Sequence, residues 1–122
     1  MTDLAECQRV VVTGLGAITP IGLDVESFFQ GLLDGKNGIS KVEAFDTEKF
    51  TCKIGGEIKD FDATNYMDPK AARRNDRFVH FAFAACKEAF ANSGLDMDQE
   101  DPDRVGVFIG SGIGGMDTIE KN

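Results

Sequence analysis

The sequence is poor in the residues on which several classes of protein depend. It has three cysteines, one histidine, one tyrosine and no tryptophan among 122 residues. An odd number of cysteines without a paired spacing does not form a disulfide framework. A single histidine with scattered cysteines does not supply the ligands of a metal site. We therefore expect no structural disulfide and no bound metal.

Long apolar runs are also missing. No stretch of about 18 consecutive apolar residues occurs, which predicts that no helix crosses a membrane. The first residues, Met1 to Gln8, are polar and acidic, and they lack the basic and apolar regions of a secretory signal. These absences predict a cytoplasmic protein that does not associate with a membrane.

Positive charge is scarce overall. The formal net charge is −8, from 13 Lys and Arg against 21 Asp and Glu. A chain this acidic is not expected to bind nucleic acid. A local cluster of basic residues is therefore informative, and one exists: four of the 13 cationic residues lie within eight positions, as Lys70, Arg73, Arg74 and Arg77.

Two short apolar runs are each followed by a glycine-rich segment. Val10–Val12 precede Gly14 and Gly16, and Val105–Ile109 precede residues 110–115, of which four are glycine. Apolar runs without polar alternation are typical of strands that are buried on both faces of a parallel sheet. The sequence therefore predicts an α/β fold in which each strand leads into a tight turn, with the second turn folded closely against another element.

The first of these turns partly resembles a dinucleotide-binding loop. The Gly-x-Gly-x-x-Gly spacing that begins at Gly14 would need glycine where Thr19 stands. The acidic residue expected about 20 positions further on is found only in the loop-like region Glu43–Asp46. A nucleotide site is therefore the weaker interpretation, and we predict no cofactor.

Helix and hairpin signals follow the first turn. Asp24 is a suitable N-cap for a helix near Val25–Asp34, whose apolar residues recur at helical spacing, and Gly35 suits its end. The piece Cys52–Ile58 alternates partly and predicts a strand or hairpin. Another helix could begin at Met116.

A longer helix is predicted in the middle of the chain. Asp68 is a capping residue and Pro69 is favoured at the first helical position. The apolar pattern continues to about Asn92, with Ser93 and Gly94 as the stop signal. We expect one uninterrupted helix, whose small alanines pack against another element.

The basic cluster lies in the first two turns of this predicted helix. Its members are spaced i, i+3, i+4 and i+7, so in a continuous helix all of them project in one direction. Two interpretations remain open on this pattern. The cluster is either a solvated charged surface or a docking surface for an anionic partner.

No complete catalytic set is found in the sequence. A reactive thiolate needs a lowered pKa, and Cys86 is expected on the apolar face of the long helix, far from its N-terminus. Cys7 lies in the N-terminal tail and Cys52 in an irregular segment. His80 is expected to be a packed or surface residue of the helix. These residues do not combine into an acid, a base and a nucleophile.

Several segments, in this order, resemble the N-terminal part of the β-ketoacyl-[acyl-carrier-protein] synthases, the condensing enzymes of fatty acid elongation. The segments are RVVVTGLGAITPIG at 9–22, GLLDGKNGIS at 31–40, AFD at 44–46, NSGLD at 92–96 and GVFIGSGIGG at 106–115. With its isoleucine, the segment GSGIGG resembles the corresponding segment of the type II synthases more than that of the type I synthases.

The resemblance implies a thiolase-like, layered α-β-α-β-α fold, of which residues 1–122 would form part of the N-terminal half. It implies a homodimer that transfers an acyl group to a cysteine, decarboxylates malonyl-carrier protein with the help of two histidines, and joins the two units. The implied partners are the acidic acyl carrier protein and acyl and malonyl thioesters, with no cofactor.

Some positions of this sequence match functional positions of that family. Lys70, Arg73 and Arg74 match basic residues that dock the carrier protein, and Arg77 is added from the helical spacing alone. Ile113 matches a residue that lines the acyl pocket near the dimer interface.

The catalytic motifs of that family have no match in these 122 residues. None of the three cysteines matches the Thr-Ala-Cys nucleophile, and His80 matches neither catalytic histidine. We expect an N-terminal fragment that is inactive alone and belongs to an acyltransferase. The open alternatives are a fragment of a polyketide-type ketosynthase and a non-catalytic module that binds a carrier protein.

Overall fold

The computed structural model describes residues 9–121, so Cys7 and the predictions for residues 1–8 lie outside the described part. The helices and strands, in chain order, are α1 (Val25–Leu33), β1 (Ile39–Lys41), β2 (Ile54–Gly56), α2 (Pro69–Arg74), α3 (Arg77–Ser93) and α4 (Met116–Lys121). Short 3₁₀ turns lie at Ala63–Asn65 and Pro102–Arg104. None of the helices in the described part is long and apolar enough to cross a membrane.

Helix α1 has the predicted position and ends. The Asp24 carboxylate accepts a hydrogen bond from the Ser27 N–H at 2.6 Å, which satisfies one of the free donors of the first turn. The interaction with Ser27 also lowers the pKa of Asp24. Gly35 follows the helix with a φ of 65°, the left-handed conformation that favours glycine at this position.

The predicted hairpin is present as a short antiparallel pair. Ile39 lies opposite Gly56 and Lys41 opposite Ile54. Beyond the strands, the Glu57 carboxylate accepts hydrogen bonds from the backbone N–H groups of Glu43 and Ala44. The Glu57 side chain therefore joins the end of β2 to the segment that follows β1.

The long central helix is two helices, and the prediction of one uninterrupted helix is wrong. Asn75 and Asp76 both have extended backbone conformations, with ψ angles of 149° and 161°. The Asn75 side chain donates to the Ala71 carbonyl at 2.9 Å, in place of a continuing helical bond. Asparagine and aspartate compete with the helix in this way because their short polar side chains bond to the nearby backbone.

The two apolar runs are not paired strands in the described chain, and they are not buried. The exposed fraction is 90% for Val10 and 96% for Phe108. A paired strand needs at least one neighbouring strand, and the one sheet within residues 9–121 is the β1–β2 pair. Both runs instead lie along α3, where residues 12–14 and 106–108 line one groove with Phe83 and Phe90.

Helix α3 is the element on which the first turn packs. A Cβ atom at Gly14 would overlap the carbonyl oxygen of Ala89, and one at Gly16 would overlap that of Ala85. The alanines of α3 allow this close approach, as the sequence predicted. Ala84, at 1% exposure, is the most buried apolar residue of the described part.

Candidate functional site

Helix α2 presents three of the four predicted docking residues to solvent. Lys70, Arg73 and Arg74 are all exposed. The one ion pair among residues 9–121 joins Lys59 to Glu43 at 3.1 Å, so no described carboxylate neutralises the α2 cations. We call these three residues the α2 basic surface. It is a concentrated positive charge on a chain whose net charge is −8.

Side chains close both ends of α2. At the start, the Asp68 carboxylate accepts from the backbone N–H groups of Lys70 and Ala71, at 2.8 and 3.3 Å. At the end, Asn75 bonds to the Ala71 carbonyl, and His80 Nε2 lies 2.9 Å from the Ala72 carbonyl. Helix α2 is only six residues long. These contacts therefore hold a helix that is too short to be stable by itself.

Arg77 does not belong to the same helical face. It is the first residue of α3, beyond the break, and its guanidinium donates to the Ile58 carbonyl at 2.8 Å. The same guanidinium lies 4.9 Å from the ring centre of Phe81, a cation–π contact. The predicted i+7 relation to Lys70 therefore fails, because the helix on which it depended is broken.

The Arg77 side chain lies beside an open cleft of about 930 Å³. Phe61 is stacked on Tyr66 and meets the edge of Phe81, with ring centres 5.3 and 5.0 Å apart. Glu57 also lines this cleft. The N–H groups of Ala44 and then Glu43 hold the pKa of Glu57 below its ordinary value, with smaller contributions from Lys59 and Arg77. The cleft is thus framed by aromatic rings and by charges that already have partners.

Ile113 lies beside the first turn of α3. It lines a smaller cleft of about 250 Å³ with Phe78. Its loop lies close to α3: a Cβ atom added at Gly114 would overlap the Phe78 ring. The Thr118 hydroxyl donates to the Asp76 carboxylate at 2.8 Å. The second half of the glycine-rich loop therefore packs tightly, as predicted, whereas Gly110 and Gly112 have open space around them.

The remaining candidate residues do not assemble into a catalytic set. Cys86 is exposed on α3, contrary to the expected apolar burial, and Cys52 is exposed near β2. His80 is engaged with the Ala72 carbonyl. In the described part of the chain, no group of acidic, histidine and cysteine side chains could hold a metal ion.

Carboxylates of the protein itself bind the backbone N–H groups at and near the start of α1. Glu88 accepts from the N–H groups of Ala17 and Val25, at 2.9 and 2.8 Å, and Asp24 accepts from Ser27. A nucleotide phosphate would need these same donors. The geometry therefore argues against the nucleotide interpretation. Sequence reasoning missed Glu88, since a glutamate in a helix usually faces water.

Curated proteins of known name match nearly the whole chain. The chain is 50% identical over 115 residues to "3-oxoacyl-[acyl-carrier-protein] synthase 2" of Synechocystis sp., covering 94% of this chain and 28% of that protein. The protein of the same name from Vibrio harveyi is 49% identical, with coverages of 93% and 27%. The chain thus spans little more than a quarter of the length of these relatives.

Solved structures give the same answer. "The ishigamide ketosynthase/chain length factor" superposes with a TM-score of 0.65 at 33% identity, over 72% of this chain and 22% of that one. A second neighbour, titled "AntDE:AntF (apo): type II PKS acyl-carrier protein in complex with its ketosynthase bound to the hexaketide", has a TM-score of 0.58 at 29% identity, over 77% and 23%. The predicted α/β, thiolase-like fold is confirmed by these neighbours.

The family model described as "Beta-ketoacyl synthase, N-terminal domain" matches residues 7–122. This match agrees with the resemblance drawn from the five sequence segments. The chain therefore belongs to the β-ketoacyl synthase family, in the N-terminal domain of that family.

Proposed function

We propose that the protein containing this chain is a 3-oxoacyl-[acyl-carrier-protein] synthase that condenses malonyl-carrier protein with an acyl-carrier protein, with loss of carbon dioxide. The names of the relatives at 45–50% identity support this activity. The described residues contain no acid, base and nucleophile set, so the chemistry is assigned to residues outside this chain. The 122-residue chain alone would then be inactive.

Fatty acid elongation is favoured over polyketide synthesis. The structural neighbours, one of them titled a type II PKS complex, are 29–33% identical to the chain. The curated synthases reach 50%. A polyketide-type ketosynthase remains the second candidate, and turnover of the full-length protein with malonyl units alone would favour it.

Within this activity, the α2 basic surface would be the dock for the acidic carrier protein. The observation that carries this role is that three exposed cations without described carboxylate partners lie together on one short helix of an acidic chain. Unneutralised charge of this kind speeds the encounter with a partner of opposite charge and fixes its orientation. Arg77 would contribute to the positive field only, because its guanidinium is held by Ile58 and Phe81.

Ile113 would form part of the wall of the acyl pocket. Its side chain is 76% exposed beside the first turn of α3, within a loop whose close packing begins at Gly114. An apolar side chain at such a position is available to contact an acyl chain or another part of the protein. We further propose that the whole enzyme is a cytoplasmic homodimer and that residues 1–122 are part of its N-terminal domain.

The docking role is tested in the full-length protein. Replacing Arg73 and Arg74 together by glutamate should weaken the affinity for carrier protein at least tenfold at low salt, because attraction becomes repulsion. Lys49 and Lys53, which are exposed in the β1–β2 connection, provide the matched charge-reversal control. Equal affinities of the two double variants would contradict the docking role.

The non-catalytic alternative is tested separately. If the 122-residue chain binds carrier protein and unfolds cooperatively in isolation, it can act as a binding module. We expect no cooperative transition, because the apolar segments 10–12 and 105–109 have no covering layer in this chain.

A further inference from the structure

The last turn of α2 has backbone carbonyls that no helical N–H can satisfy, because the helix stops at Arg74. Two side chains donate hydrogen bonds to these carbonyls instead. Asn75 donates to the Ala71 carbonyl, and His80, from the next helix, reaches back to the Ala72 carbonyl at 2.9 Å. The contact of His80 is the one of the two that joins α2 to α3.

The chemistry of this contact defines which ring nitrogen of His80 carries a proton. A carbonyl oxygen can only accept, so Nε2 of His80 must carry the proton and donate it. The ring is half-buried, and Ala72 is half-buried as well. The bond therefore lies between two partly shielded groups, where it is electrostatically stronger than a bond in open water.

The position of the acceptor, Ala72, determines which part of α2 this bond holds in place. Ala72 immediately precedes Arg73 and Arg74, so fixing its peptide group fixes the backbone from which both guanidinium groups project. Helix α2 is otherwise held at its start by Asp68 and by contacts with the 3₁₀ turn Ala63–Asn65. Among the contacts of the described residues, two side chains hold the end that carries the two arginines: Asn75, which moves with α2, and His80, which belongs to the longer α3.

We propose that His80 is a positioning residue for carrier-protein docking, which holds the C-terminal turn of α2 on α3 so that Arg73 and Arg74 are presented in a fixed arrangement. This inference rests on the proposed docking role of α2. Prior fixing of the backbone that carries charged side chains lowers the conformational entropy that is lost on binding and so increases affinity. His80 touches neither the carrier nor the reacting atoms in this proposal.

The test compares His80→Leu with His80→Gln in the full-length enzyme. Leucine fills similar space but cannot donate, whereas the glutamine amide can donate to the Ala72 carbonyl. We expect His80→Leu to raise KM for acyl-carrier protein about threefold to tenfold, the effect of one lost hydrogen bond, and His80→Gln to restore most of it. The kcat should stay unchanged, and so should turnover of a short acyl thioester without carrier protein.

The outcomes separate this inference from the docking role. If Arg73→Glu with Arg74→Glu weakens carrier binding but His80→Leu does not, the positioning role of His80 is overturned and the docking role stands. If His80→Gln is as impaired as His80→Leu, or if turnover of the short thioester falls equally, His80 acts by packing alone and the inference is also overturned. If the arginine variant binds normally, the docking role itself fails.

Discussion

The carboxylate of Glu88 accepts a hydrogen bond from the backbone N–H of Val25 at 2.8 Å, across 63 positions of the sequence. Its second oxygen accepts from the N–H of Ala17 at 2.9 Å. One side chain of α3 therefore fixes both the first glycine-rich turn and the start of α1. A carboxylate also suits the start of a helix, where the helix dipole is positive.

Replacing Glu88 should destabilise the full-length protein. Glu88→Ala leaves two partly buried backbone donors without an acceptor, and we expect the free energy of unfolding to fall by about 1–3 kcal/mol. Glu88→Gln should cost less, because one amide oxygen can still accept. Urea unfolding measures the change, and Lys87→Ala, at the exposed neighbouring position, is the control. A loss no larger than that of the control would contradict the role of Glu88.

The close approach of the first turn to α3 predicts an effect of adding a single methyl group. Gly16→Ala would place Cβ against the Ala85 carbonyl, which is backbone and cannot move aside. We expect a loss of about 1–3 kcal/mol in the free energy of unfolding, or more if the turn must leave the helix. Gly112→Ala is the matched control, since nothing lies within 4 Å of its added Cβ. Similar midpoints of urea unfolding for the two variants of the full-length protein would show that the turn does not pack as described.

The α2 basic surface predicts a change in the salt dependence of binding. Arg74→Gln removes one exposed charge without reversing it. We expect carrier affinity to fall about twofold to fivefold at low salt and the difference to shrink near 0.5 M salt, where exposed charges are screened. Affinity measured over a series of salt concentrations checks this. Lys49→Gln should follow the unaltered protein throughout, and a salt-independent loss for Arg74→Gln would argue against an electrostatic role.

Glu57 predicts a small acid-sensitive contribution to stability. Its pKa lies below the ordinary value of 4.5, first because of the Ala44 N–H and then because of the Glu43 N–H. The ionised form therefore favours the folded state above about pH 4.5, and the contribution is lost as the pH falls through the lower pKa of the folded protein. Glu57→Gln should flatten the pH dependence of the urea midpoint in that range. Glu48→Gln, an exposed glutamate of the same connection, should leave the profile unchanged.

Elements with local signals could be predicted from the sequence. The N-caps Asp24 and Asp68, the proline at position 69 and the left-handed Gly94 act on their immediate neighbours, so their spacing alone was sufficient. The break at Asn75 and Asp76 also had a local signal, because both residues commonly end or begin helices. The apolar pattern, however, continues on both sides of the break and predicted a single helix.

Features that depend on distant residues could not be predicted in this way. The exposure of the two apolar runs depends on which backbones lie beside them, and a run of valines is compatible with any number of neighbours. Glu88, and the bond between His80 and Ala72, join parts of the chain that no spacing rule connects. At the candidate site, the spacing correctly placed three exposed cations on one helix, although their docking role stays a prediction. It misplaced Arg77, whose direction is set by Ile58 and Phe81.

The bare valine run at residues 10–12 has a consequence for association between chains. In the described part of the chain, Val10 and Val12 remain 90% and 79% exposed. Unpaired apolar backbone of this kind is a template for strand addition between chains. We therefore expect copies of the 122-residue chain to associate through residues 10–12 when no neighbouring strand covers them.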